Sequence, residues 1–204
     1  MLKSALGSLH KTVIFERRAR VLAERIGSLL PPHASVLDVG TGNGQIARRW
    51  AAMRSDISVA GIDVLVRGNT EIPVRAFDGY TIPYADKSVD AVTFVDVLHH
   101  SSNPQQLLSE AARVARHAVV IKDHLAESSL DHAVLRVMDW VGNAPHGVVL
   151  PYNYLPRARW RELFQKANLS SRSFSTNVPL YPAPLNLLFG RHLHFIADLW
   201  PALS

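Results

Sequence analysis

Val36-Leu37-Asp38-Val39-Gly40-Thr41-Gly42-Asn43-Gly44 is the stretch on which the fold turns. The run from Ser35 to Val39 is short and apolar, as a buried strand is. Three glycines at alternate positions follow at once, and a helix is expected from about Asn43 to Met53. Glycine lets the backbone turn sharply and lets a ligand approach where any side chain would collide. The helix start beyond the turn offers free N–H groups and a partial positive charge, which suit a carboxylate or phosphate. Asp38, at the strand end, is placed to hold an ammonium group or a water.

Outward from this loop the same rhythm repeats. Ile57 to Ile62 reads as a second strand and Pro73 to Phe77 as a third. Val89 to Val95 has the apolar content of a strand covered on both faces. A helix from Pro104 to Ala115 and a fifth strand from Ala118 to Ile121 follow. Upstream, Leu9, Val13, Leu22, Ile26 and Leu29 recur at near-helical spacing until Pro31-Pro32 stops them. Strands alternating with helices argue an α/β fold, a Rossmann-like, doubly wound and mostly parallel sheet with helices on both faces.

Beyond His124 the rhythm breaks. A helix from Leu130 to Val141 leads into a loop with Gly142, Pro145, Gly147 and Pro151. A helix from Arg157 to Ala167 and extended runs at Ser170 to Thr176 and His192 to Leu199 bring the strand count to seven. One domain is expected over 1–204. It comprises an N-terminal helical segment (1–32), a ligand-binding core (33–123), an inserted cap after the fifth strand (124–156), and a C-terminal helix with strands (157–204). The cap is too short to bury a core of its own.

With 204 residues, 48% of them hydrophobic, the chain can bury a full core without staples. Cysteine is absent, which excludes disulfides, thiolate metal sites and cysteine nucleophiles. No signal-peptide succession opens the chain and no apolar run approaches the ~18 residues of a membrane span, so a cytoplasmic protein is expected. The net charge of +5 gathers in Lys3, Lys11, Arg17, Arg18, Arg20 and Arg25, and again in Arg157, Arg159, Arg161, Lys166 and Arg172. These read as solvated helix faces. They would also suit peripheral contact with an anionic membrane, whereas no recognition module accompanies them to favour nucleic acid.

Two further carboxylates give the glycine loop its meaning. Asp63 ends the second strand in Gly61-Ile62-Asp63, where its two oxygens can accept both hydroxyls of a ribose. Asp78 follows the third strand in Phe77-Asp78-Gly79, within reach of an exocyclic amine of a base. Three acids in order on three successive strand ends suit adenosine.

In these residues the chain resembles the class I S-adenosylmethionine-dependent methyltransferases, particularly the small-molecule, quinone-methylase-like group (methyltransferase type 11). The likeness covers about residues 20–125, through Val36–Gly44, Gly61-Ile62-Asp63, Phe77-Asp78-Gly79 and Ile82–Asp90. It continues through Phe94-Val95-Asp96-Val97-Leu98-His99-His100 and Glu110–Val114. It implies that Asp38, Gly40, Thr41, Gly42 and Gly44 cradle the methionine end of S-adenosyl-L-methionine, with S-adenosyl-L-homocysteine as product. Asp63 would bind ribose, Val64 would cover the adenine, Asp78 and Gly79 would meet its edge, and Asp96 and Val97 would lie near the amino acid portion. Thr41 stands where the family often has Cys, and Ala115-Arg116-His117 where it commonly has Pro-Gly-Gly.

Two other readings compete. A nicotinamide-dependent oxidoreductase shares the glycine loop and ribose acid, but its third glycine usually comes after two residues, not one. A non-enzymatic methyltransferase-like scaffold would not need an intact glycine loop with both nucleoside acids.

The acceptor is expected to be an apolar small molecule or lipid-like metabolite, methylated on oxygen before carbon. The Asp/Asn-Pro-Pro-aromatic motif of nucleic-acid amine methylases is replaced by Asp96-Val97-Leu98-His99-His100. His100 is the first choice of general base, then His99 and His124, because imidazole titrates near neutral pH. One of the adjacent pair is expected to face the site while the other packs away. No metal is expected, since no tight ligand spacing is present. In the cap, Asp139, Trp140, His146 and Tyr152 are the expected acceptor contacts, among an apolar group that includes Met138 and Tyr154.

Overall fold

The computed structural model describes residues 2–143, 152–183, 186, 189–190 and 192–202. His146 lies outside the described residues, as do Val148, Val149 and Leu150. Seven strands form one sheet: β1 (Ser35–Val39), β2 (Ser58–Asp63), β3 (Val74–Ala76), β4 (Val89–Val95), β5 (Ala115–His124), β6 (Leu169–Ser175) and β7 (His194–Pro201). Their spatial order is β3-β2-β1-β4-β5-β7-β6. The first five run parallel, and β7 enters antiparallel between β5 and β6. This is the Rossmann-like, mostly parallel architecture the sequence rhythm implies.

Alternation along the strands builds a core on each face. Leu37, Val39, Val92, Phe94, Val119 and Ile121 turn to one side, where α3 (Pro104–Val114) and α5 (Arg157–Lys166) bring Leu107, Leu108, Trp160 and Phe164. Val36, Ala91, Ala118 and Val120 turn to the other, against Leu22 and Ile26 of α1 (Leu2–Gly27) and Trp50 of α2 (Gln45–Met53). Each large side chain so buried contributes about 1.5–3 kcal/mol against the entropy of ordering it. A small third cluster, Ala126, Leu135, Tyr154 and Leu193, seats α4 (Ser129–Asn143) and the segment after it. Among the described residues no helix is long and apolar enough to cross a membrane.

Element boundaries depart from the sequence reading where polar residues are buried. The fifth strand runs from Ala115 to His124, not from Ala118 to Ile121. Its last three residues, Lys122, Asp123 and His124, are 0–4% exposed, so an apolar pattern could not mark them. Burial of Lys122 and Asp123 is tolerated because each has partners, described below. β1 and β4 have the limits read from sequence.

The register sets the site. Val39 lies beside Ile62 on one side and Phe94 on the other, and Val95 lies beside Lys122. The residues just past β1, β2, β4 and β5 therefore crowd one edge of the sheet. The strand order reverses between β1 and β4, the switch point where open α/β sheets bind ligands.

Candidate active site

The glycine loop is held in shape by its neighbours. Gly40, Gly42 and Gly44 all have positive φ, from 63° to 79°. A Cβ on Gly40 would stand 2.6 Å from Val97 Cγ2, whereas one on Gly42 would find nothing nearer than Arg67 at 3.9 Å. Gly40 is thus closed by packing and Gly42 is open to a cavity. Asp63 Oδ2 accepts from the Gly42 N–H at 2.7 Å and Oδ1 from that of Leu65 at 2.9 Å, so the β2 acid is tied to the β1 loop.

Two cavities flank this loop. The first, about 220 Å³, is lined by Gly40, Asp63, Val64, Phe77, Asp78, Gly79, Tyr80, Val97, His100, Ser101, Ser102 and Leu107. Asp78 Oδ1 takes the N–H groups of Tyr80 and Thr81, both at 2.7 Å, which fixes the carboxylate at the rim and holds it below the usual range. The second, about 330 Å³, is lined by Phe15, Arg18, Ala19, Gly42, Asn43, Ile46, Arg67, Val95, Asp96, His99, His100, His124, Met138, Asp139 and Tyr181. Among the described residues, His100 is the one that lines both. Together they fall within the ~300–1,000 Å³ of ordinary ligand sites.

Of the residues chosen from sequence, Gly40, Asp63, Val64, Asp78, Gly79 and Val97 meet at the first cavity, and Gly42, Asp96, His99, His124 and Asp139 at the second. Others stand elsewhere. Asp38 is buried beneath the loop, where the Thr93 hydroxyl donates to its Oδ1 at 2.6 Å and burial pushes its pKa up to about 6. It faces a hydroxyl there, not an open space for an ammonium group. The Thr41 side chain packs on Gly61, whose Cβ would come within 2.4 Å of it. Gly44 is closed by Ile72. Trp140 is 62% exposed, and Tyr152 lies under the Arg136 guanidinium at 4.8 Å; neither lines a cavity.

The floor of the second cavity is a buried network of charge. Asp96, at a positive φ of 58°, pairs with both Lys122 and Arg18. Its burial opposes ionisation, but the two cations hold its carboxyl well below the usual range. Arg18 therefore departs from the solvated face expected of α1: it reaches in to close the site. Both adjacent histidines line the second cavity, so the division expected of them, one facing the site and one packed away, is not seen. His99 is 1% exposed, its Nδ1 2.6 Å from Asp123 Oδ1, while His100 faces the cavities. Burial, with His99 alongside, lowers the pKa of His100 and so keeps it neutral. His124 is lowered further, to about 4, by burial and by Lys122. His99 Nε2, His100 Nδ1 and His124 Nδ1 are buried without a hydrogen-bond partner.

Donor atoms of His99, His100 and Asp139 lie within 4.8 Å of one another, as do those of His99, Asp123 and His124. The His99 and His100 ring centres are 3.9 Å apart, whereas two imidazoles on one zinc ion stand about 5 Å apart at tetrahedral angles and ordinary bond lengths. Those two rings are packed against each other at a tilt of 45°. In the second group His99 Nδ1 and Asp123 already satisfy each other.

A family model described as a methyltransferase domain matches residues 13–173, which include the glycine loop, both cavities' acids and the histidines. The chain belongs to the methyltransferase-domain family. It is 30% identical over 121 residues to a 27-O-demethylrifamycin SV methyltransferase of Amycolatopsis mediterranei, covering 52% of this chain and 44% of that one. It is also 30% identical over 105 residues to a demethylmenaquinone methyltransferase of Renibacterium salmoninarum, covering 49% and 44%. The chain thus spans under half the length of these relatives. Among solved structures it is similar to the methyltransferase in complex with the Haloferax volcanii Trm112 activator, with TM-score 0.70, 16% identity and 91% of each chain covered. A SAM-dependent methyltransferase of Aquifex aeolicus has TM-score 0.60 and 19% identity, covering 87% and 88%. These two likenesses bear on the fold.

Sequence reasoning missed Phe15, Arg18, Arg67, Ser101, Ser102 and Tyr181 as wall residues. Arg18 was visible only as one charge in a basic helix. Tyr181 and Arg67 lie in loops with no pattern to mark them.

Proposed function

We propose that the chain is a S-adenosylmethionine-dependent methyltransferase acting on an oxygen of a small molecule, with 1–204 working as one domain and no metal taking part. The observation that carries this is His100 at the junction of two cavities, one walled by Asp63, Val64, Asp78 and Gly79 and the other by a mixed apolar and charged set. The residues fit the cofactor: Gly42 leaves space that a side chain would fill, and Asp63 and Asp78 present oxygens around the first cavity. When bound, S-adenosylmethionine supplies an electrophilic methyl on its sulfonium.

The chain's own residues do the rest. Asp63 would accept from ribose hydroxyls, Val64 and Leu107 would line the place of the base, and Asp78 would receive its amine. His100, neutral and with a ring nitrogen free, accepts the hydroxyl proton of the acceptor as its oxygen attacks the methyl. His99 and His124 support it from behind. Packing of the acceptor between Phe15, Met138 and Tyr181 aligns it and excludes water, which supplies most of the acceleration in a direct displacement. Those walls suit an apolar body, and the names of the relatives, a rifamycin and a menaquinone methyltransferase, support the same class.

Calorimetry with S-adenosylmethionine and NAD tests the cofactor. Asp63→Ala is expected to weaken the former by about 1.5–3 kcal/mol, the loss of charge-assisted hydrogen bonds. Preference for NAD, or an Asp63→Ala protein that binds as wild type, refutes the reading.

A further inference from the structure

Beside His100 runs a chain of polar groups of which the proposed reaction uses only His99, as a support. Asp123 is fixed from three sides: Oδ2 accepts from the Leu98 N–H at 3.0 Å, and Oδ1 meets the His124 N–H at 2.7 Å and His99 Nδ1 at 2.6 Å. The other nitrogen of His99, Nε2, stands 3.4 Å from Asp139 Oδ2, which also accepts the Tyr154 hydroxyl. These four side chains come from the turn after β4, the end of β5, α4 and the segment between α4 and α5.

A neutral His99 would aim a lone pair at one carboxylate or the other. A proton on each nitrogen gives Nδ1 a hydrogen bond to Asp123 and sets Nε2 in a 3.4 Å ion pair with Asp139. It also balances the site: Arg18, Lys122 and His99 then face Asp96, Asp123 and Asp139. Burial works against the charge, yet the two carboxylates outweigh it and push the His99 pKa up to about 10. Asp139 is thereby held as a carboxylate on the cavity wall. Tyr154 takes Oδ2, and Oδ1 has no hydrogen-bond partner among the described residues.

Resting on the methyltransferase reading above, we propose that Asp139, positioned by a His99 imidazolium and by Tyr154, binds a second donor of the acceptor, so that the acceptor carries two hydroxyls on adjacent atoms. One hydroxyl donates to Asp139 and its neighbour, the one methylated, donates to His100. The two protein groups have donor atoms within 4.8 Å, a gap that two oxygens ~2.8 Å apart can bridge by hydrogen bonds of ordinary length. In the transfer the acceptor oxygen forms its bond to the methyl carbon as the carbon–sulfur bond breaks. The bonding pair goes to sulfur, and the hydroxyl proton goes to His100. Asp139 then offsets the imidazolium formed beside it.

The experiment uses the full chain, labelled with nitrogen-15 in histidine and saturated with S-adenosylhomocysteine. The groups facing His99 are Asp123, His124, Asp139, Tyr154, His100 and, beyond them, Asp96 and Lys122. In wild type the His99 ring is expected to keep both protons past pH 8. In Asp139→Asn its titration should fall by a unit or more, and in Tyr154→Phe it should stay high. Catechol and 1,2-dimethoxybenzene serve as acceptor probes, one able to donate two hydrogen bonds and the other none. Catechol should perturb the His100 signal and bind about tenfold or more tighter to wild type than to Asp139→Asn, the scale of one charge-assisted hydrogen bond. 1,2-Dimethoxybenzene should bind the two proteins alike. His99 titrating near neutrality in wild type overturns the relay, and catechol indifferent to Asp139→Asn overturns the acceptor class. Failure of wild type to bind S-adenosylhomocysteine counts instead against the methyltransferase reading, and equal affinity for it in both variants shows that the fold has survived.

Discussion

Replacing Gly42 by alanine separates cofactor binding from stability, because the two neighbouring glycines differ in what surrounds them. At Gly42 the added methyl meets no atom nearer than 3.9 Å, so the only folding penalty is a positive φ of 63° on a residue with a Cβ. That is worth about 1–2 kcal/mol. For a chain of this size it lowers Tm by roughly 2–8 °C. At Gly40 the same φ penalty applies, and the methyl also lands 2.6 and 2.8 Å from the two Val97 methyls. Val97 has a stiff side chain, so the backbone must give, adding about 1–3 kcal/mol. Urea unfolding should therefore rank wild type above Gly42→Ala, and Gly42→Ala above Gly40→Ala. Calorimetry should show Gly42→Ala losing S-adenosylmethionine affinity by at least tenfold while remaining folded, since its methyl would enter the second cavity, where the glycine loop is proposed to cradle the ligand. A folded Gly42→Ala protein that binds as tightly as wild type refutes the cradle. Equal stabilities for the two variants refute the packing argument.

The folded-state pKa of Asp38, about 6, lies above its unfolded value, so the native state favours the protonated form and this residue's stabilisation, complete below about pH 4, is lost as pH rises to about 6. Asp38→Asn should consequently unfold with a flatter pH dependence and gain up to about 3 kcal/mol over wild type at pH 7, seen in denaturant midpoints from pH 4 to 7. His100→Gln should cut methyl transfer by ~10²–10⁴ with cofactor affinity nearly intact, and a change of only a few-fold in single-turnover rate would remove it as a base. Trp160 is fully buried and its Nε1 donates to the His124 carbonyl at 3.0 Å, so Trp160→Ala should cost about 3–5 kcal/mol by denaturant unfolding.

What could be read beforehand follows the physics of each feature. Strand cores such as Val89–Val95 announce themselves because both faces are apolar, and Val36–Gly44 does so because a strand followed by glycines has few other uses. That Asp63 and Asp78 would meet at one cavity was legible from their order on strand ends, since parallel strands carry their termini to a shared edge. The acceptor side was not. Lys122, Asp123 and His124 look like a polar loop in sequence, yet they finish a buried strand because Asp96, His99 and Leu98 N–H supply partners from another element. Arg18 looks like a surface charge for the same reason: its partner, Asp96, is 78 residues away. Pairings of that kind leave no periodic trace.

The placement of β7 between β5 and β6 has a consequence for how the chain comes into being. Synthesis delivers β1 through β5 with their helices first, and these can begin to pair as they emerge. β5 then waits with an open flank, and β6 has nothing to join until His194–Pro201 has left the ribosome. His194 pairs with His124 and Ile196 with Lys122, so the same late strand shuts water out from beneath the charged floor of the site. For the time it takes to make the seventy residues after His124, at about 5–20 residues per second, Lys122 and Asp123 stand in solvent, and only the closing strand turns them into buried partners. The end of the sheet that carries Lys122 and Asp123 thus becomes dry only once β7 has paired.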